Sequence, residues 1–147
     1  MDVREARRDD FEMIEALVRS VYHGDLATTT EWVFAIEGLD AKLESLREEF
    51  DAIGSCFVIA TEGEKALGAM LVRVRRGDDR VWIEDVFMTP EGRKKGAAAA
   101  MMAEGVPADA EVCCEVNAKN EVTLETLKGL GFEAVIETVV LRKRAPG

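Results

Sequence analysis

The chain has 147 residues, of which 48% are hydrophobic and 33% charged, with a formal net charge of −10. This is enough chain for one domain, residues 1–147, with a real core, and it is too apolar to be disordered. No apolar run approaches the roughly 20 residues of a membrane span, the charged N-terminus has no signal segment, and the acidic balance argues against nucleic acid as a partner. The expectation is a cytoplasmic protein with no membrane partner. Cys56, Cys113 and Cys114 form neither a disulfide framework nor a CxxC ligand pair, so they read as small core residues and no metal is expected.

Val3 to Ala6 is a short apolar/charged alternation, read as a first strand. Asp9 or Asp10 can cap the helix that follows, whose apolar face is Met13, Ile14, Leu17, Val18 and Val21. Tyr22, His23, Gly24 and Asp25 end it. His23, the lone histidine, reads as a surface or cap residue beside that glycine. A second helical region opens at Thr28, Thr29 and Thr30, and carries Trp32, Ile36, Leu39, Leu43, Leu46 and Phe50 at three- and four-residue steps, with a break expected at Gly38. The period then changes. Residues 56–60, 66–74 and 81–88 are three apolar runs separated by Glu62-Gly63-Glu64 and Gly77-Asp78-Asp79, which predicts an antiparallel meander.

After Thr89-Pro90-Glu91-Gly92 comes Arg93-Lys94-Lys95-Gly96-Ala97-Ala98, a basic turn entering an alanine-rich helix expected over residues 93–104. A strand, a glycine-bearing loop and a helix start form an anion cradle: free N–H groups, the positive end of the helix dipole, and side chains small enough for a phosphate to reach the backbone. Residues 111–116 read as a strand, Asn120 as the cap of a helix bearing Val122, Leu124, Leu127 and Leu130, and residues 132–141 as a last β-branched strand. The order β-α-α-β-β-β-α-β-α-β predicts a mixed α/β sheet with helices on both faces.

At this point the chain resembles the GNAT-type N-acetyltransferases. The run from Arg93 to Ala98 is similar to that family's acyl-CoA pyrophosphate loop, Arg/Gln-x-x-Gly-x-Gly/Ala. Glu115-Val116-Asn117-Ala118-Lys119-Asn120-Glu121 followed by Leu130-Gly131-Phe132 is similar to its strand–Asn–helix–Leu-Gly-Phe segment. The resemblance implies a sheet that splays between the fourth and fifth strands to take acetyl-CoA. Arg93, Lys94, Lys95, Gly96, Ala97 and Ala98 would hold the pyrophosphate, Asn120 the pantetheine arm, and a backbone N–H near Phe87 or Met88 the thioester carbonyl. It also implies attack by a neutral amine. The strand Ile83-Glu84-Asp85-Val86-Phe87-Met88 is similar to that of the diamine and polyamine acetyltransferases, which makes Glu84 the preferred base. Glu115, matching a glutamate of N-terminal acetylating relatives, is second. Asp85 would help hold a cationic substrate, with Tyr22 and Trp32 on the substrate side. Alternation sets Glu84 and Asp85 on opposite faces unless the strand bulges between them. The family's usual tyrosine acid is replaced by Leu127, and its seventh strand is not evident. Two expectations follow: a binding-only domain is the alternative to an enzyme, and a second copy of the chain, as a homodimer, can complete the sheet edge.

Overall fold

The computed structural model describes residues 1–25, 31–75, 77–116, 118, 121–137, 139, 141 and 143–146, with the side chains of 22–25 and 31–38 outside that description. The proposed contacts of Tyr22, Trp32 and Asn120, the caps at Thr28 to Thr30 and the His23 side chain therefore lie outside the described residues. The elements run β1 (Asp2–Glu5), a 3-10 turn (Arg8–Asp10), α1 (Phe11–Asp25), α2 (Glu31–Glu49), β2 (Ser55–Glu62), β3 (Lys65–Val74), β4 (Val81–Met88), α3 (Pro90–Lys94), α4 (Ala97–Gly105), β5 (Val112–Cys114) and α5 (Glu121–Gly129). One sheet of order β1-β2-β3-β4-β5 results, antiparallel through β4 and parallel between β4 and β5.

The alternation of β2 and β3 sends side chains to two cores. Phe57, Ile59, Ala69 and Leu71 meet Phe11, Ile14, Leu17, Val18 and Val21 of α1 and Leu43 and Leu46 of α2. Val58, Ala60, Met70 and Val72 meet Ala97, Ala98 and Met101 of α4. Ile14, Ile59, Met70 and Met101 are wholly buried, each removal from water contributing about 1.5–3 kcal/mol. Helices thus cover both faces, as the interleaved order predicted. The small residues of α4 let it lie close: a Cβ on Gly105 would come within 2.5 Å of Val58 Cγ2.

Four expectations are corrected. Asp10 does not cap α1 as expected. It closes the 3-10 turn before it, accepting from the Arg7 N–H at 2.7 Å and from the Arg4 guanidinium at 2.7 and 2.8 Å. That pairing, chiefly the Arg4 hydrogen bonds, holds its carboxyl down at about 2. α2 runs through Gly38 without a break, since one glycine costs a helix only about 1 kcal/mol. The alanine-rich helix is two helices, α3 and α4, hinged at Gly96 (φ 73°). The last predicted strand is not found among the described residues of 132–141: these carry no ladder bonds, and Val135, Ile136, Val139 and Leu141 are 79–87% exposed. β-branched composition makes a strand only where a neighbour supplies the pairing, and among the described residues β5 pairs with β4 alone.

Candidate active site

β4 carries most of the candidate residues, and its pairing changes halfway along. Against β3, Leu71 faces Asp85 but Val72 faces Ile83, so Glu84 is an extra residue in a β-bulge. Against β5, the ladder covers Val81, Trp82 and Ile83 opposite Val112, Cys113 and Cys114, and stops there. The sheet therefore splits at the bulge. Beyond it, among the described residues, β4 is bonded on its β3 side only. Thr89 N–H donates to Leu67 O at 3.0 Å, and the two-residue alternation then turns the amides of Phe87 and Asp85 toward β3 and those of Met88 and Val86 into the split. Of the two backbone amides named for the thioester carbonyl, the register turns that of Met88 into the split. Phe87, whose side chain is buried in the α1/α2 core, is bonded toward β3.

The bulge also decides where the carboxylates point. Val81, Ile83, Val86 and Met88 all join the core under α4, whereas Phe87 joins the other. The face changes phase between 83 and 86, so Glu84 and Asp85 share the α1/α2 face. Asp85 accepts a 2.8 Å bond from Lys42 of α2, with both side chains largely buried. Glu84, 24% exposed, is gripped by Arg75, whose Nε and Nη2 donate to its two carboxylate oxygens at 3.0 and 3.3 Å. The same guanidinium lies 3.6 Å above the Trp82 ring and 3.6 Å from Glu115, which is 81% exposed. Trp82 is held in turn by its indole N–H donating to Asp78 at 2.8 Å. Asp78 also takes Arg80, which holds its carboxyl far below the usual range. Both candidate bases thus meet at one arginine, with Glu84 the better enclosed. Beside them lies an open hollow of about 610 Å³ lined by Arg75, Gly77, Asp78, Asp79, Arg80 and Glu111. Sequence reading missed Arg75, Trp82 and Lys42. Their charges and ring were visible, but pairings across 9 and 43 residues follow only from the bulge.

Cys114 ends the β4–β5 ladder. Burial, then the nearby Asp85, Glu84 and Glu115 carboxylates, push its thiol up to about 12, so at neutral pH it is protonated and not a nucleophile. Leu127 is 6% exposed and has no proton to give.

At the other end of β4, Thr89 caps α3 by accepting from Gly92 N–H at 3.0 Å, and Pro90 takes a first-turn place where no N–H is needed. Gly92 lies against β3, where a Cβ would stand 2.2 Å from Leu67 O. Lys95 and Gly96 N–H donate to Glu91 and Arg93 carbonyls. The N–H groups left over for an anion are those of Ala97, Ala98 and Ala99, the first turn of α4, whose cap Gly96 supplies no side chain. Ala97 and Ala98 are buried at that turn. Lys95 is held by Glu62 and Glu91, which raise its pKa, while Lys94 is exposed. Pyrophosphate fits such a cradle, and a split strand edge with two outward amides fits an extended amide-bearing arm. No group of three His, Cys, Asp or Glu side chains able to hold a metal occurs among the described residues, and no described helix is long and apolar enough to cross a membrane.

Residues 12–132 match the Acetyltransferase (GNAT) family. No curated protein matches the chain. Among solved structures, aminoglycoside N-acetyltransferase AAC(6')-Iy in complex with CoA is similar at 20% identity and TM-score 0.68, over 98% of this chain and 100% of that one. The same enzyme with the bisubstrate analogue CoA-S-monomethyl-acetylneamine is similar at 22% identity and TM-score 0.67, over 98% of both chains. The PaiA N-acetyltransferase of Thermoplasma acidophilum in complex with coenzyme A is similar at 16% identity and TM-score 0.67, over 90% of this chain and 89% of that one. These likenesses are of fold, and the fold agrees with the family match. The chain belongs to the Acetyltransferase (GNAT) family.

Proposed function

We propose that the enzyme acetylates a primary amine of a small cationic molecule or peptide by direct attack within a ternary complex, with Glu84 as the base. The observation that carries this reading is the bulge, which sets Glu84 and Asp85 on one face at the point where β4 parts from β5. Acetyl-CoA would lie with its pyrophosphate on the amides of Ala97, Ala98 and Ala99, near Lys94. Its pantetheine arm would run along Val86 and Met88. The Met88 N–H would then face the thioester oxygen, where a fixed donor is worth about 2.7–4 kcal/mol as the oxyanion develops.

An alkylammonium loses its proton only near pH 10, so attack needs a carboxylate within reach, directly or through water. A carboxylate has about four acceptor positions and Arg75 occupies two of those on Glu84. The others remain for the amine or its water, and a swing of Arg75 toward Glu115 would free the rest. Asp85, Asp79, Glu111 and Glu115 make the approach favourable to a cation. The aminoglycoside acetyltransferases among the structural neighbours support a cationic acceptor, and the net charge of −10 agrees with it. The protonated Cys114 supports direct attack over an acetyl-cysteine intermediate. With Leu127 in place of a hydroxyl donor, the departing thiolate takes its proton from water.

Incubation with acetyl-CoA and a panel of diamines, polyamines, aminoglycosides and peptide N-termini, detecting free CoA thiol, tests the reading. The expected result is turnover with a cationic amine that falls on the order of 10²–10⁴-fold in Glu84→Gln, with CoA affinity unchanged. Equal turnover by Glu84→Gln and wild type would remove Glu84 from the role of base.

A further inference from the structure

Arg75 holds Glu84 from a platform that does not depend on Glu84. It follows Val74, the last residue of β3, and sits in the turn to β4, which closes with Asp78 N–H donating to Arg75 O at 3.1 Å and with Gly77 at φ 77°. Trp82 and Glu84, two residues apart, share a face of β4, and the guanidinium covers both. It lies 3.6 Å from the centre of the Trp82 ring, while its Nε and Nη2 donate to the two Glu84 oxygens at 3.0 and 3.3 Å. The ring is braced in turn. Its N–H donates to Asp78 at 2.8 Å, and Asp78 accepts from the Arg80 backbone N–H at 2.9 Å and from the Arg80 guanidinium at 2.8 and 3.1 Å.

We infer that Arg75 is a positioning residue for the proposed reaction, a role that rests on Glu84 being the base: it fixes the plane of the Glu84 carboxylate and so aims the acceptor positions left for the amine or its water. A reacting group misplaced by about 1 Å can cost on the order of 10²-fold in rate. A guanidinium fork holds both carboxylate oxygens in one plane, which the point charge of a lysine does not, and stacking on Trp82 restrains the fork before Glu84 is engaged. The pair adds little to the stability of the fold, because its side chains are 36% and 24% exposed and pairs open to water are weak. Its effect is therefore on the geometry of the base. A neighbouring cation also makes any carboxylate a weaker base. Arg75→Lys, which keeps the charge and loses the fork, separates the two effects.

The test uses the full chain and the amine that the panel above identifies. Arg75→Ala is expected to keep its fold by circular dichroism and its KM for acetyl-CoA, and to lose kcat by roughly 10- to 100-fold. Arg75→Lys is expected to recover little of that loss. Methylguanidinium at millimolar concentration is expected to restore part of the Arg75→Ala rate, and to restore none once Trp82→Leu removes the platform. In the Glu84→Gln background Arg75→Ala is expected to cost nothing further, since it acts through that carboxylate. Wild-type or faster turnover by Arg75→Ala or Arg75→Lys, with Glu84→Gln impaired, would overturn the role of Arg75 and leave Glu84 as the base. An equal loss from Arg75→Ala in both backgrounds would overturn it as well. Wild-type turnover by Glu84→Gln, or turnover with no amine, would remove Glu84 from the role of base and Arg75 with it.

Discussion

Residues 81–83 and residues 86–88 belong to one strand and have different surroundings. The first three are bonded on both sides, to β3 and to β5. Among the described residues the last three are bonded to β3 alone, with Val86 and Met88 turned outward at the split. Between them one extra residue, Glu84, changes the phase of the strand. A fully paired strand is a structural part. A half-paired strand next to a helix N-terminus can bind an extended ligand through its backbone, and a bulge at the boundary brings two carboxylates to the same face. The difference between the halves is a difference of pairing, not of composition, since both are apolar and largely buried.

The largest way to break this arrangement is Gly92→Ala. Its Cβ would stand 2.2 Å from the Leu67 carbonyl oxygen, backbone that cannot yield, so α3 must lift off β3 and the cradle with it. The expected cost is about 3 kcal/mol, read by urea denaturation, with CoA binding lost in parallel. Lys42→Met acts at the boundary between the halves. It leaves Asp85, 16% exposed, beside Glu84 without its ammonium, at an expected cost of about 1–2 kcal/mol and with a raised KM for a cationic amine. Asp10→Asn lies on neither half and serves as the control. The Asp10 carboxyl is held at about 2, below its ordinary 3.8, so its contribution is full above pH 4 and fades as pH falls toward 2. The variant should lose about 1 kcal/mol at pH 7, with the gap to wild type closing in acid and the kinetics unchanged.

Periodicity made the antiparallel part legible: β4 was expected at its observed bounds, and the two meander turns follow from Gly63 and Gly77. Propensity failed where pairing decides. Residues 132–141 are as β-prone as any in the chain, and the described ones among them show no strand, while the extra residue at Glu84 has no compositional sign. The cradle was legible as a motif, Arg93 to Ala98, but its amides were not. Which N–H groups are spent depends on α3 closing tightly at Lys95 and Gly96 before α4 begins. The grip of Arg75 on Glu84, over Trp82, joins residues whose proximity follows from the bulge and the turn together.

Amide hydrogen exchange on the intact protein, with and without CoA, tests the central claim most directly. If the split holds acyl-CoA, saturating CoA should slow exchange at Val86, Met88 and the first-turn amides Ala97, Ala98 and Ala99. Val81 N–H, already donated to Glu111 O at 2.9 Å, and the β3-facing Phe87 should show no local change. Protection confined to the hollow at Asp78, Asp79 and Arg80, with Val86 and Met88 unaffected, would contradict the account.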